Sequence, residues 1–138
     1  MPKQKNKDLE QKYLELQVII QQINQVQQQL SNIQDHVLEL NNLKDSVSSL
    51  TEIKDNNESF VPVGFNIFTK AKLQNVDELL VNVGSNVFVI KSIDETNSLV
   101  NSQISQIELI IRELGDKLHE LEQTGELIQN QIIEISNK

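Results

Sequence analysis

The chain has 138 residues, 38% of them apolar but only 4% aromatic, with no tryptophan, no cysteine and a formal net charge of -8. This composition supplies little material for a thick globular core, excludes disulfides and thiolate metal sites, and lacks the basic stripe that a nucleic-acid binder needs to neutralise phosphates. Residues 1–8, MPKQKNKD, have no apolar run of signal-peptide type, and no stretch approaches the roughly 20 apolar residues of a membrane span, so a flexible, solvated N-terminus and a cytoplasmic protein are expected.

Residues 9–55 are predicted to form the first long helix. Leu9, Tyr13, Leu16, Ile20, Ile23, Val26, Leu30, Ile33, Val37, Leu40, Leu43, Val47, Leu50 and Ile53 follow one another at steps of three or four, the spacing that holds one helix face against a partner in a coiled coil. From Ile20 to Val26 this stripe takes six residues rather than seven, a local overwinding. Leu16 to Gln34 carries no formal charge and is rich in glutamine, a good helix former suited to a solvated face.

Four short strands follow, at Phe60–Val63, Ile67–Leu73, Leu79–Val83 and Val87–Lys91. Residues 61–68, VPVGFNIF, recur as VNVGSNVF at residues 81–88 with five of eight positions identical. Each copy places a Gly and an Asn where a tight hairpin connection needs positive φ, so residues 60–91 read as two β-hairpins. Pro62 cannot donate a ladder hydrogen bond and marks an edge strand. Leu79, Val81, Val83, Val87 and Val89 line one face of the second hairpin, and Leu80, Phe88 and Ile90 the other, so both faces call for burial.

The second helix is predicted at residues 93–137, opened by a capping box of Ser92 and Glu95 within a C-terminal segment of residues 92–138. Val100, Ile104, Ile107, Ile111, Leu114, Leu118, Leu121, Gly125, Ile128, Ile132 and Ile135 alternate steps of four and three, and only Gly125 lacks a large apolar side chain. The two helices match in length, each about 70 Å at about 1.5 Å per residue, and should fold back on each other with paired residue numbers summing to about 146. Gly125 then falls opposite Ile20 to Ile23, and the two irregularities are expected to be complementary.

The fold class is therefore α+β: a long antiparallel two-helix coiled coil with two central β-hairpins. Isolated hairpins are marginal in water, and their open edges invite another chain. An oligomer is expected, in which hairpins from several subunits close a β-barrel platform. Val61, Val63, Gly64, Ile67, Phe68, Val81, Val83, Gly84, Val87, Phe88 and Val89 are the candidate assembly residues.

Nothing in the chain assembles into a catalytic centre, and it is not expected to be an enzyme. His36 and His119 lie on separate helices out of register, Asp94 and Glu95 suit the start of a helix, and Glu108, Glu113, Asp116, Glu120 and Glu122 suit a solvated face. The GFN and GSN turns lack the glycine spacing and lysine of a phosphate-binding loop, so no cofactor, metal or ATP hydrolysis is expected.

The runs VPVGFNIFTKAKL and LLVNVGSNVFVIKSIDE, the latter leading into the heptad helix, resemble the α class of the prefoldin family over essentially the whole chain. In that family the α class carries two hairpins and the β class one. The sequence departs from the family where Phe65 and Asn66 follow Gly64 and where Asn86 follows Ser85, in place of small Gly, Ser or Ala residues. The resemblance implies a hexamer with prefoldin β subunits, two α and four β, whose coiled coils hang from a double β-barrel. It also implies ATP-independent capture of unfolded proteins at the coil tips and delivery to a group II chaperonin, with no nucleic acid or membrane involved.

The candidate client-binding residues at the tips are Leu9, Tyr13, Leu16, Val18 and Ile19 on the first arm and Leu127, Ile128, Ile132, Ile133 and Ile135 on the second. Val18, Ile19, Leu127 and Ile133 lie off the predicted seam and are apolar beyond what pairing needs. Several weak contacts on different arms would give avidity while each stays reversible. The alternative is a structural or tethering coiled-coil protein whose hairpins mediate assembly alone.

Overall fold

Two helices and two hairpins follow one another in a computed structural model that describes residues 2–53, 57–74 and 76–137. Helix α1 spans Pro2–Ser49 and ends in a 3-10 turn at Leu50–Glu52; strands β1 (Asn57–Gly64), β2 (Ile67–Leu73), β3 (Glu78–Gly84) and β4 (Val87–Ser92) precede helix α2 (Ile93–Ser136). The predicted end of the first helix at residues 54–55 lies outside the described residues. Residues 2–8, expected as a solvated terminus, belong to α1. Proline is well placed at a first helical position because its missing N–H would have no partner there, and the Gln4 side chain donates to Asp8 Oδ1 one turn on, at 3.2 Å.

The chain divides into two compact units, Met1–Val37 with Gln106–Lys138, and Leu38–Ser105. In the first, the α1 side of the helix pair runs through Leu9, Lys12, Leu16, Ile19, Ile23, Val26, Leu30, Ile33 and Val37, all buried or half-buried. Steps of three and four alternate without a break. The six-residue repeat is absent: Tyr13 and Ile20, assigned to the seam from sequence, are 53% and 47% exposed, and Lys12 and Ile19 hold those positions. A count of hydrophobic spacing favours Tyr13 over Lys12 and admits either Ile19 or Ile20, and the unbroken 3.5-residue period decides between them. Lys12 is tolerated because its aliphatic stem lies along the seam while its ammonium reaches Glu15 Oε2 at 3.2 Å.

On α2 the predicted stripe is the observed one: Ile128 and Ile132 are buried, and Ile107, Ile111, Leu114, Leu118, Leu121 and Ile135 are half-buried. Gly125 is buried too, and a Cβ built there would lie 3.5 Å from Ile19 Cγ2. The glycine faces a regular α1 seam, so the expected pairing of two irregularities reduces to one missing side chain.

The second unit buries Leu40 and Val47 of α1 and Ile93, Thr96, Val100 and Ile104 of α2. Leu43, expected in the seam, is exposed, and Lys44 is half-buried in its place, the substitution seen at Tyr13 and Lys12. Asn97 Nδ2 donates to Ser48 Oγ at 3.3 Å across the pair, a polar contact of the kind that favours one register over its neighbours.

Strand β4 passes into α2 without a linker because Ser92 closes the one and caps the other. Glu95 N donates to Ser92 Oγ at 3.1 Å, Ser92 N donates to Glu95 Oε1 at 3.4 Å, and Thr96 Oγ1 donates to Ser92 O at 2.8 Å. The expected capping box is formed. Ser92→Ala is expected to lower stability by about 1 kcal/mol, read as a lower midpoint in thermal unfolding, whereas Glu95→Gln, which keeps an acceptor, should lose less.

Each hairpin is its own two-stranded antiparallel sheet, and no barrel closes among the described residues of this chain. The V-x-V-G repeat performs the same backbone operation twice. In β1–β2 the register passes from Pro62 opposite Phe68 to Gly64 opposite Ile67, and in β3–β4 from Asn82 opposite Phe88 to Gly84 opposite Val87. The second valine of each copy, Val63 or Val83, is therefore the extra residue of a β-bulge. Both glycines have positive φ, +132° and +125°, and so do both central turn residues, Phe65 and Asn66 in one hairpin, Ser85 and Asn86 in the other, as primed hairpin turns require. In the second hairpin Gly84 N donates to Asn82 Oδ1 at 2.9 Å, and Pro62 stands at the equivalent place in the first. Phe65 holds its left-handed conformation at a cost of roughly 1–2 kcal/mol, with its ring wholly exposed.

Candidate functional site

Two sets of apolar side chains are left without cover. No large side chain among the described residues is fully buried.

The first set is the hairpin surface. Alternation along β3 and β4 puts Leu80, opposite Ile90, and Phe88 on one face, where Leu80 and Ile90 are 68% and 64% exposed. The other face carries Leu79, Val81 and Val89, of which Leu79 and Val81 are half-buried. In the first hairpin Phe60 pairs with Lys70, whose Nζ stands 5.9 Å from the ring centroid, and Phe60 and Phe68 line an open apolar hollow. Among the candidate assembly residues Val61 and Val81 are half-buried, while Val63, Ile67, Phe68, Val83, Val87, Phe88 and Val89 are exposed with the two turn glycines. Phe60, Leu80 and Ile90 are exposed as well. The period of two that places them opposite the valines was the available signal.

The second set lies toward the free ends of α1 and α2 in the first unit, where Lys5 Nζ donates to the carbonyl of Ser136 at 3.4 Å. Of the ten candidate tip residues, Leu9, Leu16, Ile19, Ile128, Ile132 and Ile135 are buried or half-buried in the pair. Ile19 is thus a seam residue, contrary to its placement from sequence. Tyr13, Val18, Leu127 and Ile133 are exposed. Leu14 and Ile20 join them and were missed. Leu14 lies one helical turn before Val18 and so shares its face, and Ile20 was hidden by its assignment to the seam.

The described residues hold no group of three or more His, Cys, Asp or Glu placed to bind a metal ion, and no described helix is long and apolar enough to cross a membrane. The arrangement offers apolar contact surface in two places, on the hairpins and toward the ends of the helix pair.

A family model for the prefoldin subunit matches residues 19–138. The chain belongs to the prefoldin family. The prefoldin subunit alpha of Methanococcus maripaludis is 32% identical over 127 residues, 92% of this chain and 76% of the relative. That of Methanococcus vannielii is 31% identical over 133 residues, 96% and 80% of the two chains. A filamentous prefoldin from Methanocaldococcus jannaschii superposes with a TM-score of 0.75 over 86% of this chain and 95% of that one, at 20% identity. The prefoldin fold of two long helices and two antiparallel hairpins is shared with that neighbour, and family membership makes the chain a chaperone-type subunit.

Proposed function

We propose that the chain is the α-type subunit of a prefoldin hexamer of two α and four β subunits that holds unfolded polypeptides at the ends of its coiled coils, without ATP, and passes them to a group II chaperonin in the cytoplasm. One observation carries the reading: the chain leaves two separate apolar surfaces uncovered, on the hairpins and near the free ends of the helices. The hairpin faces, with open edges on each two-stranded sheet, suit closure into a β-barrel with neighbouring subunits. The exposed side chains of the arms are then free for clients, and weak contacts on several arms add through their high effective concentration. A tether to a folded partner is the second reading, favoured only by the regular seam.

Mixing the chain with a single-hairpin prefoldin β subunit tests both. The expected result is a stable hexamer by light scattering that suppresses aggregation of a denatured client with no nucleotide present. A hexamer of the same mass that leaves aggregation unchanged would support the tether and overturn the holdase.

A further inference from the structure

Beside Gly125 an open groove of about 420 Å³ lies between the helices of the first unit. Its α1 wall is apolar, made by Leu16, Ile19, Ile20 and Ile23, within a stretch from Leu16 to Gln34 that carries no charge. Its α2 wall is different, because Glu122 and Glu126 flank Gly125 there. Four residues apart on a helix, the two carboxylates share a face and repel one another. No lysine or arginine stands three or four residues from either. The Lys12–Glu15 ion pair involves neither of them. The groove therefore combines an apolar floor with an uncompensated negative rim.

We propose that this groove is a socket for an apolar side chain of an unfolded polypeptide that carries a lysine or arginine beside it. The proposal rests on the client-holding reading above and adds a sequence preference to it. An apolar side chain recovers the contacts that Ile19 and Ile23 lack above the glycine, and the neighbouring cation answers Glu122 and Glu126 at low salt. The glycine is costly to keep, since alanine in its place has the higher helix propensity. A Cβ there meets Ile19 Cγ2 at an ordinary contact distance, so packing does not demand the gap. Gly115, also inside α2, provides the control, for nothing lies within 4 Å of the position its Cβ would take.

The test uses the full-length chain and labelled disordered peptides with a central Leu-Phe pair flanked by lysine, serine or glutamate, titrated by fluorescence anisotropy. The lysine-flanked peptide should bind at least threefold tighter than the serine-flanked one at low salt, with the glutamate-flanked peptide weakest. That advantage should vanish in Glu122→Gln/Glu126→Gln and at high salt. Gly125→Leu should weaken all three at least fivefold, and Gly115→Leu should leave them unchanged. Retained binding in Gly125→Leu, or a lysine preference that survives the double glutamine variant, overturns the socket. A changed mass of Gly125→Leu with unchanged peptide binding assigns the groove to a neighbouring subunit and overturns it as well. Failure of every peptide to bind also sinks it, and the mixed-hexamer aggregation assay then shows separately whether the holdase reading falls with it.

Discussion

Leu80→Lys with Ile90→Lys is expected to abolish assembly while leaving both helices folded. The two side chains are cross-strand partners on one face of the second hairpin and are mostly exposed in the isolated chain, so lysine costs the chain itself little. In the proposed oligomer this face would be covered by a neighbouring subunit. Fully burying a large aliphatic side chain contributes about 1.5–3 kcal/mol, and the loss recurs for every copy of the chain, with the added penalty of desolvating two ammonium groups. Light scattering of the variant mixed with its partner should give the masses of unassembled subunits, and far-UV circular dichroism should keep its helical signal. A variant that still forms the full complex would show that this face takes no part in assembly.

The second large effect is expected at the helix ends. Removing residues 1–20 and 128–138 should leave the mixed complex assembled, because the hairpins are untouched, but unable to suppress aggregation of a denatured client. A sharper version changes no backbone: Leu14→Ser, Val18→Ser, Leu127→Ser and Ile133→Ser alter side chains that are exposed in the helix pair. Every apolar group withdrawn from the client lowers affinity, and the effects of groups that act together multiply. The four changes should weaken client retention at least tenfold with little change in thermal stability. Undiminished suppression by the truncated complex would place client contact elsewhere.

These variants differ in how visible their residues were beforehand. The stripe from Val100 to Ile135 is read correctly because steps of four and three alternate along it without a break, even where Leu99, Ile110, Leu127 and Ile133 adjoin seam residues. In α1 the apolar residues crowd both sides of the seam. Tyr13 stands next to Lys12, Ile19 next to Ile20, and Leu43 next to Lys44; a rule that selects the more hydrophobic neighbour chooses the exposed residue at Tyr13 and Leu43. A buried lysine stem is invisible to such a rule, though it follows from the amphipathic shape of the side chain. The same ambiguity hid Ile20 from the candidate tip set and placed Ile19 in the wrong class.

The hairpins show the converse. Both turns and all four strands are apparent from Gly, Asn and the β-branched runs, and the Ser92–Glu95 cap from its spacing. The bulges at Val63 and Val83 are not, since an extra residue in a strand changes register without changing composition. The positive φ of Phe65 also runs against its residue type. It follows from the turn that the neighbouring Gly64 and Asn66 impose.

Local chemistry, then, was sufficient for the elements and their order: helical period, turn residues, cap and repeat act within a few residues of themselves, and together they specify two helices around two hairpins. Which α1 residues face α2 was a tertiary decision, because a seam must stay in phase with its partner along the whole contact while any short window of sequence fits two phases. The groove at Gly125 belongs to the same decision. A glycine in one helix becomes part of a groove only when the other helix sets Ile19 across from it and supplies no counter-ion to the two carboxylates at the rim.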